Sequence, residues 1–134
     1  MKRLEQAGKF LRKAAEDEAL LDAVISVTTV SDEIFGFHCQ QAAEKLLKAM
    51  LSAQGLRFQK THDLQELMTL LENAGHTLPP DLTRVDELTP FAVQWRYDYF
   101  APATPFDRKQ ARELIRRLRS HVSDCVTALE QKHE

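Results

Sequence analysis

A stripe of polar side chains runs along one segment of the chain, between about Asp32 and Gln54. A helix turns by about 100° per residue, so residues three, four or seven positions apart share one face. Lysine is a compact point charge that suits phosphate. The stripe therefore indicates either a surface that holds a phosphate or a partner chain, or the solvated face of an amphipathic helix. Its members are His38, Gln41, Glu44, Lys45 and Lys48.

Two further places carry side chains suited to anions. His62 stands at the start of a helix, where an imidazole either caps or packs locally or lies near an anion held at the helix N-terminus. Arg96 and Tyr97 follow the only tryptophan. An arginine flanked by aromatic residues can stack on a base and pair with phosphate, or it can anchor a helix end to a carboxylate.

The last helix is basic and also carries a histidine and a cysteine. Four arginines share one of its faces, and they form either a surface for an acidic partner or an exposed row balanced by the acidic residues 16–18. The small net charge favours the second interpretation. His121 and Cys125 have the spacing of a zinc pair, but they lie on the apolar stripe and no further ligand motif accompanies them, so we expect no metal. The arginines are Arg108, Arg112, Arg116 and Arg119.

Composition limits the function classes. The chain has 134 residues and a formal net charge of −2, which predicts one soluble domain, 1–134, without broad nucleic-acid coating. Apolar stretches are too short for a membrane span, and the first residues lack the apolar core of a signal peptide. The two cysteines suggest a reducing, cytoplasmic setting. Glycine-rich phosphate loops and nucleophile-elbow motifs are absent from the sequence, so we expect no cofactor.

Helical periodicity dominates the rest of the sequence. The apolar spacing predicts a first helix that weakens in the β-branched run 24–30, and then the polar-striped helix, which begins at Ser31 or Asp32. Thr61 or Asp63 caps a third helix, and Thr89 with Pro90 predicts a kink or two short helices. A long last helix starts near residue 107. The fold class is an all-α, up-and-down four-helix bundle with an additional short or kinked helix.

The polar-striped helix also carries a resemblance to a known family. The run 37–49, Phe-His-Cys-Gln-Gln-Ala-Ala-Glu-Lys-Leu-Leu-Lys-Ala, resembles the FHxQQAAEKxLKA signature of prokaryotic HEPN domains. Three shorter matches follow the family's order: residues 15–17 resemble its Ala-x-Asp position, residues 61–64 its THDL turn, and Arg96 with Tyr97 its Arg-Tyr pair. The resemblance covers nearly the whole chain.

The resemblance implies a helical bundle that dimerises and is commonly encoded beside a minimal nucleotidyltransferase. Many HEPN proteins are RNA-cleaving toxins of such two-gene modules, and their motif is an arginine followed after four to six residues by a histidine. After Arg96 those positions hold Ala101, Pro102 and Ala103. The same spacing occurs at Arg116 and His121, in the last helix.

Three functions are therefore open. The first is a nucleotide- or RNA-phosphate-binding partner of a minimal nucleotidyltransferase in a toxin–antitoxin-like module. The second is a metal-independent ribonuclease toxin that uses Arg96 or Arg116 with His38, His62 or His121. The third is a purely structural subunit of a dimer, with the polar stripe buried between protomers. The predicted ligand-binding residues are His38, Gln41, Lys45, Lys48, His62, Arg96 and Tyr97.

Overall fold

The computed structural model describes residues 2–92 and 106–132 and is all-α over those residues. The predicted fold class is confirmed: helices pack into a bundle, and the described residues contain no strand. Of the four α-helices in the described residues, α3 has only ten residues. Arg96 and Tyr97 lie outside the described residues. The elements are α1 (Lys2–Val24), α2 (Asp32–Ala53), α3 (Leu64–Asn73), a 3₁₀ helix (Leu82–Ala92) and α4 (Arg108–Lys132).

Helix α2 is the centre of the bundle and packs against each of the other elements. Fifteen of its 22 residues are buried, so the helix is enclosed on nearly every side. Its smallest residues, Ala42, Ala43 and Ala49, are completely buried and let neighbouring helices approach closely. Leu46 and Leu47 fill the space between them. Polar side chains on α2 must therefore find partners inside the protein.

Side-chain caps determine where the helices begin. Ser31 caps α2, as predicted, by accepting a hydrogen bond from the Ile34 amide. Asp63 caps α3 by accepting from the amides of residues 65 and 66. The Glu66 side chain does not bond directly to the Asp63 amide, as it would in a capping box. Thr61 lies between them: its hydroxyl accepts from the Asp63 amide and donates to Glu66.

The segment around Pro90 differs from the sequence prediction. Residues 82–92 form one continuous 3₁₀ helix that includes Pro90, without a break at Thr89. Thr89 does act as a cap, but for another element: its hydroxyl accepts from the Leu64 amide at 3.2 Å. That amide belongs to the first turn of α3, which has no backbone acceptor within its own helix.

Arg108, the first residue of α4, holds the connection between α1 and α2. Its guanidinium donates to the backbone carbonyls of Val24, Val27 and Val30 and to the Asp32 carboxylate. Val24 ends α1, and its carbonyl, which accepts from the Val27 amide at 3.0 Å, gains a second donor from Arg108. The guanidinium also lies 5.2 Å from the centre of the Phe35 ring.

Gly36 allows an aromatic cluster to form on the first turns of α2. The Phe91 and Phe106 rings are 5.2 Å apart, and Phe106 is 6.2 Å from Phe35. A Cβ atom at Gly36 would lie 2.4 Å from the Phe91 ring. The missing side chain therefore lets the 3₁₀ helix rest directly on α2.

We expect Gly36→Ala to destabilise the protein by about 1–3 kcal/mol, because the added methyl group overpacks this contact. Gly8→Ala is the matched control, since Gly8 also lies within a helix and its nearest neighbour is the end of the flexible Arg12 side chain, at 3.4 Å. The control should stabilise the protein by about 0.5–1 kcal/mol through helix propensity. Urea unfolding checks both changes, and equal effects of the two substitutions would contradict the packing argument.

Candidate functional site

The polar stripe of α2 meets α1 at a buried carboxylate, Asp17. One Asp17 oxygen is 3.0 Å from Nδ1 of His38, and the other is 2.6 Å from Nζ of Lys45. His38 and Lys45 are seven residues apart, two helical turns, so both project toward α1. We call Asp17, His38 and Lys45 the Asp17 cluster.

A second cluster with the same composition lies beside it. One Glu44 oxygen is 2.8 Å from Nδ1 of His62 and 3.1 Å from Nε2 of Gln40, and the other accepts from Nζ of Lys48 at 3.0 Å. His62 reaches α2 from the turn before α3, and its backbone carbonyl also accepts from Gln40. We call Glu44, His62 and Lys48 the Glu44 cluster.

In both clusters the carboxylate is inside and the histidine is nearer to solvent, as is the lysine of the Asp17 cluster. The side chains of Asp17 and Glu44 are 10% and 7% exposed, whereas those of His38 and Lys45 are 27% and 26% exposed. His62 is 49% exposed, while Lys48, at 11%, is largely covered. The solvated-face interpretation of the stripe is therefore wrong for Glu44 and Lys48. Both are withdrawn from water because α2 is enclosed on nearly every side.

The Glu44 carboxylate stays ionised in this setting. Burial raises the pKa of Glu44, but the hydrogen bonds from His62, Lys48 and Gln40 outweigh it and lower the pKa below its ordinary value. The buried charge is thus fully paired. It also fixes the orientation of the histidine and the lysine that it binds.

Sequence reasoning missed Gln40 and the role of the two carboxylates. Gln40 is completely buried, donates to Glu44, and accepts a hydrogen bond of 2.7 Å from Gln41. It thereby links Gln41, a predicted ligand residue, to the Glu44 cluster. Two adjacent glutamines on a buried helix were the available signal. Asp17 is 21 positions before His38 and 28 positions before Lys45. Residue spacing within a helix does not predict contacts at such distances along the chain.

The basic row of α4 faces α1 more than it faces water. Arg112 binds Asp22 through two bonds of 2.6 and 3.2 Å, and Arg119 donates to Glu18 at 2.5 Å. The acidic balance expected from α1 is therefore present, but the expectation of an exposed row is wrong for Arg112, which is 8% exposed. Glu18 is buried between Arg112 and Arg119. The apolar residues of α1 recur every three or four positions, and Glu18 stands where the next apolar residue would fall. This charged residue in an apolar row was the signal in the sequence.

The candidate ribonuclease pair on α4, Arg116 and His121, does not come together within one chain. Arg116 and His121 are five residues apart, about 140° around the helix, and Arg116 pairs with Glu113 on the surface. His121 contacts Cys125, with Nε2 and Sγ 3.9 Å apart. No group of three metal-ligating side chains occurs in the described part of the chain. Burial raises the pKa of Cys39 to about 12, so this thiol stays protonated.

An all-α bundle with a central polar-striped helix and a Thr-His-Asp turn defines a class of small helical domains. The family model for the HEPN domain matches residues 2–126, and the chain therefore belongs to the HEPN domain family. No curated protein and no solved structure shows significant similarity to it. Among the helices that the structure describes, none has the length and apolar character needed to cross a membrane.

We expect Glu44→Gln to lower stability at neutral pH by about 2 kcal/mol, because Lys48 and His62 lose the buried carboxylate that both of them bind. The folded pKa of Glu44 lies below the ordinary value of 4.5, so its contribution is complete above that pH and is lost as the pH falls through the folded value. The variant should therefore lose less stability than the parent below pH 4.5.

Thermal unfolding between pH 3 and pH 7 measures both effects. Glu72→Gln on the exposed side of α3 removes the same charge without a buried partner, and it should behave like the parent. If the stability of the Glu44 variant and that of the parent fall equally between pH 4.5 and pH 3, ionisation of Glu44 does not cause the loss of stability in acid.

Proposed function

We propose that the Asp17 and Glu44 clusters together bind the phosphate groups of a nucleotide or an RNA strand. The observation that carries this proposal is a layering of side chains: in both clusters a buried carboxylate holds an imidazole that is more exposed than itself, and in the Asp17 cluster it also holds a more exposed ammonium. These donors are thus nearer than the carboxylates to an approaching anion. They are also fixed before the ligand arrives, which lowers the entropic cost of binding.

The donors of the two clusters form one continuous row. His38, Gln41, Lys45 and Lys48 are spaced by three, four and three residues along α2, and ten residues of helix extend about 15 Å. Each ammonium has three N–H groups, of which one is committed to a carboxylate in each cluster. The other N–H groups supply donors for phosphate oxygens.

The charge of the row also fits a small ligand. One carboxylate and one ammonium cancel in each cluster, so the site offers donors without a strong positive field. This agrees with a chain whose formal net charge is −2. Such a site suits one or two phosphates held at close range, and it does not suit a long duplex attracted from a distance.

We further propose that the protein is a homodimer that acts with a minimal nucleotidyltransferase in a toxin–antitoxin-like module of the cytoplasm. Membership of the HEPN family and the near-complete FHxQQAAEKxLKA match support this proposal. Of the arginine and histidine pairs of the ribonuclease alternative, Arg116 with His121 has little support, because the two side chains diverge on α4; Arg96 lies outside the described residues.

We expect Gln41→Glu to weaken binding of a labelled oligoribonucleotide by at least about fivefold. It places a negative charge in the middle of the row, and at about 4 Å a like charge near a protein surface costs 1 kcal/mol or more. Gln65→Glu on α3 is the matched control. Each substitution adds one charge and removes one amide hydrogen bond, from Gln41 to Gln40 or from Gln65 to Thr69.

Fluorescence anisotropy at fixed salt measures the affinities, and thermal unfolding checks that both variants fold. Equal affinity of the two variants would show that the row does not contact the ligand. Failure of the parent to bind either the oligonucleotide or ATP would overturn the proposed function itself.

We expect the chain alone to elute at twice its monomer mass in size-exclusion chromatography with light scattering, and a nucleotidyltransferase encoded beside it to shift this mass further. Two large apolar side chains, Leu20 and Ile34, are 39% and 41% exposed and are suited to such contacts. The double change Leu20→Gln and Ile34→Gln should weaken self-association, whereas Ala19→Gln, one position away on α1, should not. A monomer at micromolar concentration would contradict the dimer.

A further inference from the structure

The two clusters hold their histidines in the same way, and we propose that phosphate binding there is coupled to proton uptake by His38 and His62. This inference rests on the proposed function and adds a regulation of the same site. Its consequence is that the ligand binds more tightly as the pH falls from 8 to 6. The bonds that each imidazole makes, and the charges around it, lead to this conclusion.

The carboxylates determine which nitrogen of each ring is protonated. An ionised carboxylate can only accept a hydrogen bond, so Nδ1 of His38 must donate to Asp17 and Nδ1 of His62 must donate to Glu44. In a neutral imidazole the other nitrogen, Nε2, then carries a lone pair. A lone pair repels a phosphate oxygen, whereas the protonated ring presents an N–H donor at the same place. Binding a phosphate at Nε2 therefore requires the second proton.

The buried carboxylates stabilise the ring that carries the second proton. An imidazolium pairs with the carboxylate already bonded to Nδ1 at 3.0 Å in the Asp17 cluster and at 2.8 Å in the Glu44 cluster. No rearrangement of the site is needed, because the bond exists in both protonation states. The ring changes only at its outer nitrogen, where the ligand arrives.

Other charged groups near each histidine come from several elements. His38 faces Asp17 on α1 and, through that carboxylate, Lys45 on α2. His62 faces Glu44 and, through it, Lys48 on α2, while Asp63 and Glu66 begin α3 next to it. Each histidine thus has one directly bonded carboxylate and one lysine that shares it. A bound phosphate adds a negative charge beside each ring and therefore favours the protonated ring.

The coupling has a defined sign and an upper limit. The association constant falls by up to about tenfold per pH unit for each proton taken up. Two coupled histidines therefore predict that binding at pH 8 is at least about tenfold weaker than at pH 6.

The probe is a labelled oligoribonucleotide with hydroxyl groups at both ends, because its phosphodiesters do not titrate between pH 6 and pH 8. Anisotropy at constant ionic strength gives its affinity for the full chain across this range. Calorimetry at pH 7 in two buffers with different heats of ionisation counts the protons taken up by the parent protein. The calorimetric arm needs no variant and so does not depend on the folding of one.

The double variant His38→Asn and His62→Asn tests the assignment. Asparagine keeps an N–H donor for each carboxylate and removes the titrating nitrogen. We expect the ratio of its affinities at pH 6 and pH 8 to be close to one, whatever its absolute affinity. His76→Asn, a histidine outside both clusters, is the matched control and should keep the ratio of the parent.

Each outcome decides the inference. A parent that binds with the same affinity at pH 6 and pH 8, or whose binding enthalpy is independent of the buffer, overturns proton coupling but leaves phosphate binding intact. A double variant that keeps the pH dependence of the parent also overturns it. Absence of binding at every pH overturns the proposed function as well, so the two failures are distinguishable.

Discussion

Burial of carboxylates on and beside α2 is the constraint on which the rest of the structure depends. An ion removed from water costs several kcal/mol unless partners of opposite charge surround it. Asp17 and Glu44 obtain those partners from different elements, and each therefore fixes one neighbour against α2: α1 for Asp17, and the turn before α3 for Glu44. Glu18 does the same between α1 and α4 through Arg112 and Arg119. The helices of this bundle are positioned by ionic pairing as well as by apolar packing.

The same pairing gives the surface its chemistry. A buried carboxylate pairs with histidine and lysine on the side nearer to solvent, because its other side faces the hydrophobic core. Histidine and lysine therefore line the exposed edge of a helix that is otherwise enclosed. The surface thus presents hydrogen-bond donors without an excess of positive charge, in a chain whose formal net charge is −2.

Local features were predictable from the residues alone. The polar stripe of α2, the cap at Ser31, the turn at Gly55 and the cap at Asp63 depend on contacts within a few positions of the chain. Gly55, for example, has φ of +75°, a conformation that glycine adopts without strain. The HEPN resemblance rested on the same local patterns, and the family model confirmed it. The prediction of a break at Pro90 was wrong: the 3₁₀ helix continues through it, and Thr89 bonds to the Leu64 amide, 25 residues earlier in the chain.

The sequence by itself determined the helices, their apolar faces and the family, since each of these follows from periodicity or from a short run of residues. Only the tertiary structure decided the state of the polar residues. His38 and Asp17 are 21 positions apart, Lys45 and Asp17 are 28, and His62 and Glu44 are 18. Whether such side chains face water or a counter-ion depends on which helix covers them. The sequence shows that a stripe is polar, but the folded bundle alone determines that its charges are buried in pairs with the histidines nearer to solvent.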